Sequence, residues 1–270
     1  MIKQISFLAI IAVQLVSCTS STSENKVDPT TLGSVDSLKN TNDLVEPGIE
    51  KGSLKFRNTF DKENVFDWVI NYNFYQCETC ELLPYQKKVN SLITGFFSEE
   101  NKEGKLDQSF FKQVFKAMEK DQKEMNMDTE YPMPFELEGE VEIEELNDRA
   151  QLYLQQYVFL GGAHGSTTVE YFQVDKETGK KLVLKDFIAN KSKLDRLAER
   201  YFRQQNEIPM EGTLIENGFD SEFSCNDNFY FKGDSLYFFY NQYEIACYAM
   251  GSFEFGIPVR DLKGLLTRKP

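Results

Sequence analysis

Between Phe135 and Glu144 the chain alternates without a break. Glu136, Glu138, Glu140, Glu142 and Glu144 hold every second position, with Phe135, Leu137, Val141 and Ile143 between them. A period of two is that of a β-strand, whose successive side chains point to opposite faces; a helix would scatter the same glutamates around its circumference. One face therefore goes to a core and the other to water, as in an antiparallel sheet. Five like charges along one face repel unless neighbouring lysines or a partner offset them. The ladder is thus either the solvated side of an amphipathic strand or an attractive surface for a basic partner.

Other segments take sides in the same way. Trp68, Ile70, Tyr72 and Phe74 share one face of a strand, and Val69, Asn71, Asn73 and Tyr75 the other. Pro84 opens a helix whose stripe is Val89, Leu92, Ile93, Phe96 and Phe97. A second helix is expected from Asp107, with Phe111, Val114, Phe115 and Met118. Strands follow at Gln151 to Leu160 and Thr168 to Val174, with a turn at Asp175 to Gly179 and a return through Leu182 to Leu184. Ser192 to Asp195 resembles a capping box ahead of a helix carrying Leu194, Leu197, Ala198 and Tyr201. Gly233-Asp234 closes a hairpin, Ser252 to Val259 is a last strand, and Asp261 to Leu266 a short helix. Strands and helices come in segregated order, which predicts α+β with antiparallel sheets. We expect two α/β subdomains, 54–134 and 135–270.

The N-terminus predicts an address. Lys3 precedes an apolar run from Ile5 to Val16, too short to span a bilayer but long enough for a signal-peptide core. The run closes on Leu15-Val16-Ser17-Cys18, which resembles the lipobox of bacterial lipoproteins. Residues 1–17 are then a signal peptide and Cys18 the lipidated first residue of the mature chain. Residues 18–53 are rich in Ser, Thr, Asn and Asp, without periodicity, and are expected to form a disordered tether. The expected location is the cell envelope, outer membrane or surface, with the lipid anchor as the one membrane contact. Removing Lys3 takes one of 30 basic residues against 43 acidic, leaving a net charge near −14. Such a chain lacks the clustered Lys and Arg that neutralise phosphates, so nucleic acid is not an expected partner.

Candidate site residues are few. His164 is the one histidine, which rules out a multi-histidine zinc site. We expect no metal and no cofactor. With Gly161, Gly162 and Gly165 around it, His164 marks either a positive-φ turn or a loop that a ligand approaches closely. No nucleophile elbow or phosphate loop is present, so no catalytic residue is assigned and enzymatic activity is not expected. After Cys18 four cysteines remain; in an oxidising compartment these read as two bridges, Cys77–Cys80 and Cys225–Cys247. Cys77-Glu78-Thr79-Cys80 can also be read as a redox pair or half a zinc site.

Three segments carry a family resemblance. Gly161-Gly162-Ala163-His164-Gly165 is followed by Phe172-Gln173-Val174-Asp175, Thr178-Gly179-Lys180 and Leu182 to Phe187. Tyr237 to Ala246, including Tyr243 and Glu244, then leads to Tyr248-Ala249-Met250-Gly251 and Ile257-Pro258. This order, over roughly Ala150 to Leu266, resembles the C-terminal domain of unknown function of RsiV-type lysozyme-sensing anti-sigma factors. Tyr85 to Phe97 is more weakly similar to the companion domain also found in PdaC-type peptidoglycan deacetylases. The resemblance implies a ligand-binding envelope protein whose partner is a basic protein such as lysozyme, or a peptidoglycan fragment. The candidate contacts are His164, Gly162, Gly165, Tyr243, Glu244 and the glutamate ladder. Two departures limit it: the lipoprotein leader replaces the anti-sigma and membrane-spanning segments, and Cys247 stands where the family usually has proline. The deacetylase catalytic module has no counterpart. A carboxylate-dependent glycan hydrolase and a purely structural envelope protein are the alternatives.

Overall fold

The structure, a computed structural model, describes residues 48–59, 65–97, 109, 112, 116, 135–159 and 163–269. The leader, Cys18, most of the tether and Gly162 lie outside the described residues. So does the helix expected from Asp107, apart from Ser109, Lys112 and Lys116, which are helical. The fold is α+β. A six-stranded sheet is ordered β1 (Gly48–Thr59), β2 (Val65–Gln76), β3 (Phe135–Glu145), β4 (Arg149–Phe159), β5 (Ser166–Asp175), β6 (Lys181–Leu182). A second sheet is ordered β7 (Phe229–Lys232), β8 (Ser235–Tyr240), β9 (Phe253–Pro258). The α-helices described along their whole length are α1 (Pro84–Phe97), the single turn α2 (Leu184–Phe187) and α3 (Lys191–Gln205). All neighbouring strands pair antiparallel except β2 and β3, which run parallel.

Two expectations change here. Residues 48–53 belong to β1 and not to a disordered tether: β1 pairs with β2 along its whole length, and Ile49 and Leu54 pack against the main core. The polar composition hid a strand whose hydrogen bonds come from its neighbour. The β2–β3 pairing also carries one sheet continuously past position 134/135. The two hydrophobic clusters divide later, one ending at Val174 and the other beginning at Leu182.

The first cluster lies under α1. Trp68, Ile70, Leu137, Val141, Leu152 and Leu154 form its floor. At core-facing Gly139 an added Cβ would lie 2.6 Å from the Phe97 ring, so glycine is what lets the helix settle onto β3. The buried stripe of α1 is Tyr85, Gln86, Val89, Asn90, Ile93, Thr94 and Phe97, whereas Leu92 and Phe96 are half-buried at its margin. The buried polar members are satisfied: Asn90 Oδ1 accepts from the Tyr75 N–H at 3.0 Å and its Nδ2 donates to the Tyr75 carbonyl at 2.9 Å.

The second cluster is aromatic. Phe202 of α3 meets Phe219, Phe223, Phe253 and Phe255 at ring distances of 5.2–5.6 Å. Each such buried ring contributes on the order of 2–3 kcal/mol of transfer free energy. Here too the local details differ from expectation. The return strand shrinks to β6 because Asp227 and Asp186 accept from the Leu184 and Val183 N–H groups and start α2. The cap of α3 is Asn190, accepting from Lys193, in place of Ser192. The closing helix is a 3-10 turn, Val259–Leu262.

Side-chain amides join the two sheets. Gln151 on β4 accepts from the Phe231 N–H at 2.8 Å and donates to the Phe231 carbonyl at 3.0 Å. Asn228 and Asn241 make four bonds to the backbone of Val169 and Tyr171. They seal the part of the β5 edge that short β6 leaves open, where an unpaired edge would invite strand addition.

Candidate functional site

Register places the ladder. Glu138, Glu140, Glu142 and Glu144 stand opposite Tyr157, Gln155, Tyr153 and Gln151 of β4, and Glu136 opposite Phe159. On the other side Glu136, Glu138 and Glu140 stand beside Asp67, Val69 and Asn71 of β2. No lysine or arginine occupies these flanking positions. The basic residues of this face, Lys51, Lys55 and Arg57, sit one strand further away on β1, about 10 Å from the ladder at ordinary strand spacing. Among the described residues no ion pair or hydrogen bond reaches the side chains of Glu136, Glu138, Glu140 or Glu142, while Glu144 accepts from Gln151. An open depression of about 200 Å3 lies over Lys51, Asn71, Asn73, Glu140 and Glu142.

Next to the carboxylates stand tyrosines. Burial, then the field of Glu140 and Glu142, pushes the Tyr153 phenol above its usual range; burial, then Glu136 and Glu138, does the same for Tyr157. Both remain neutral hydroxyls, paired across from the acidic strand. Carboxylates flanked by aromatic rings suit Lys and Arg side chains, through charge and cation–π attraction together.

Tyr157 links the ladder to the loop. A Cβ on Gly165 would fall 2.3–2.5 Å from two ring carbons and the hydroxyl oxygen of Tyr157, so this glycine is required by close approach. Gly165 has no positive φ, contrary to the turn reading; Gly161 and Gly162 lie outside the described residues. His164 is exposed, with Nδ1 3.3 Å from the Gly165 carbonyl oxygen. Its ring stacks on Tyr248 at 3.8 Å and 17°, and the Tyr248 hydroxyl donates to the Gly165 carbonyl at 2.9 Å. Tyr243 lies 5.6 Å from Tyr248, is 55% exposed and has a φ of 66°. A tyrosine in that region is a strained exception. Glu244 holds the turn by accepting from the Asn241 N–H at 3.0 Å. His164, Gly165, Tyr243 and Glu244 are thus brought together, beside the ladder. The sequence reading missed Tyr153 and Tyr157 and gave Tyr248 no site role, because an aromatic in a strand or turn reads as core until its neighbours are known.

The cysteines split. Cys77 and Cys80 are bridged, with Cα atoms 5.4 Å apart. The Cys225–Cys247 bridge is absent and both thiols are free. Cys225 is buried in the second core, its thiol pushed up by burial and by the Asp195 carboxylate, while Cys247 is exposed where the Tyr248–Met250 turn begins. Among the described residues no cluster of His, Cys, Asp and Glu has the geometry to hold a metal ion. No helix among them is long and apolar enough to cross a membrane.

Fold and site define a two-sheet α+β protein with an acidic and aromatic face. Residues 181–260 match the family model described as "Protein of unknown function (DUF3298)". A solved member of that family from Bacteroides fragilis superimposes with a TM-score of 0.67 at 20% identity, covering 83% of this chain and 96% of the other. A second, from Pseudomonas aeruginosa, gives 0.58 at 15% identity over 83% and 95%. No curated protein matches.

Proposed function

We propose that this chain is a binding protein of the cell envelope, held by a lipid on Cys18, whose acidic and aromatic face takes a basic protein such as lysozyme. One observation carries the reading: the ladder, Tyr157 and the His164–Tyr248–Tyr243 group form one contiguous surface with no basic residue opposite the glutamates. The sequence resemblance to lysozyme-sensing domains supports it, as does the net charge of −13. The carboxylates steer the approach, and the rings supply apolar contact once water is expelled.

Titration of the full chain with lysozyme at rising ionic strength tests this. Reversing Glu136, Glu138 and Glu140 to Lys slows association by about tenfold or more and flattens its salt dependence, with folding unchanged. Absence of lysozyme binding at low salt refutes the reading. Saturable binding of muropeptides that ignores salt moves it to glycan stacked on Tyr243. Turnover lost on replacing a carboxylate would make the protein a hydrolase. For the anchor, Cys18→Ser releases the protein from membranes; a variant that stays bound through detergent-free washing refutes lipidation.

A further inference from the structure

The Cys77–Cys80 bridge stands apart from that surface, and its setting is not that of a structural staple. It closes a loop of four residues between β2 and α1, with Glu78 and Thr79 exposed at the tip and both cysteines partly exposed. Short loops gain least from closure. Both ends of the loop are already held without it. Asn90 binds the N–H and carbonyl of Tyr75, fixing the end of β2 to α1. The Leu83 N–H donates to Gln86 Oε1 at 2.8 Å, and Lys87 pairs with Glu81. The two sulfurs are also unequal, because the Cys80 N–H donates to Cys77 Sγ at 3.0 Å. A backbone donor aimed at one sulfur favours negative charge there, so in the reduced pair Cys77 is the better thiolate. That stabilisation comes from the loop itself, since α1 begins at Pro84, beyond the second cysteine.

We propose that Cys77 and Cys80 form a thiol–disulfide exchange site, with Cys77 attacking and Cys80 resolving, and with a protein or low-molecular-weight disulfide as substrate. In the reduced pair the Cys77 thiolate attacks one sulfur of R–S–S–R′. A Cys77–S–S–R bond forms, and R′S⁻ leaves and takes a proton from water. Cys80 gives its proton to water and attacks Cys77 Sγ. RS⁻ departs, is protonated, and the bridge seen here closes. Two thiols become one disulfide while the substrate disulfide becomes two thiols, and a dithiol reductant recharges the pair by the reverse exchange. This site is independent of the partner-binding face.

The test uses the full chain carrying Cys18→Ser and Cys247→Ser, reduced and then exposed to oxidised glutathione. The pair re-forms its bridge, Cys80→Ser accumulates a glutathione adduct on Cys77, and Cys77→Ser reacts about tenfold more slowly. Fluorescence of Trp68, the one tryptophan and fully buried in the first core, stays native on reduction. Should either single variant misfold, peptide mapping of alkylation in the reduced Cys77/Cys80 protein still ranks the two thiols, with Cys77 labelled first. Equal reactivity of the two sulfurs, a bridge that resists dithiothreitol in the folded protein, or loss of native fluorescence on reduction would each overturn the proposal.

Discussion

Asp175 ends β5 and receives more than its share of donors. Its Oδ1 accepts from the Thr178 N–H and hydroxyl, both at 2.8 Å, and its Oδ2 pairs with Arg268 Nη2 at 2.8 Å. The same Arg268 reaches Asp148 at 2.7 Å, so one guanidinium ties the C-terminal segment to the β3–β4 turn and to the end of β5. Burial alone would raise the Asp175 pKa. The Thr178 N–H, then Arg268 and the Thr178 hydroxyl outweigh it and hold the carboxyl at about 2, below the usual 3.8. A folded pKa below the unfolded one means the carboxylate stabilises the fold fully above about pH 4. That contribution drains away as pH falls through the interval down to about 2. At about 1.4 kcal/mol per pH unit the difference is worth about 2 kcal/mol, a figure we keep because the Asp175 side chain is 13% exposed. Asp175→Asn keeps an acceptor for Thr178 and removes the charge. Urea unfolding read by Trp68 fluorescence should show the variant about 2 kcal/mol less stable at pH 7, with the gap closing toward pH 2. A gap that persists unchanged at low pH would show that the loss is steric and that the charge contributes nothing.

Gly165→Ala forces a Cβ into the Tyr157 ring; it should cost about 1–3 kcal/mol and weaken binding of the basic partner, checked by urea melts and by the lysozyme titration. Wild-type values in both would mean that Tyr157 shifts freely. Asn90→Leu keeps volume but orphans the buried N–H and carbonyl of Tyr75. The expected loss is about 2–4 kcal/mol in chemical unfolding, and in this variant, unlike the wild type, reducing Cys77–Cys80 should lower stability further.

The elements that could be read from the sequence are those whose signal is local. The ladder of β3, the Gly233 hairpin with its φ of 60°, and the helix at Pro84 each announce themselves within a dozen residues. What failed was set by partners distant in sequence. β1 has the composition of a linker, and only its pairing with β2 makes Gly48 to Ser53 a strand. Cys225 and Cys247 flank a hairpin, which brings them near one another along the chain but says nothing about burial, and the core claims one of them alone.

The candidate surface shows the same limit in its sharpest form. Glu138 belongs to β3, Tyr157 to β4 and Tyr248 to a turn after β8, and no local pattern in the sequence joins the three. Tyr157 faces Glu138 because β3 and β4 pair in this register. A slip of one residue would turn every ladder-facing side chain of β4 into the core and send Leu152 and Leu154 out to water. Those two leucines are fully buried, so the hydrophobic core forbids the slip. The acidic and aromatic face is therefore a by-product of core packing on the opposite side of the same strands. It is also why a change in the core, such as filling Gly139 beneath Phe97, should disturb a surface that it never touches.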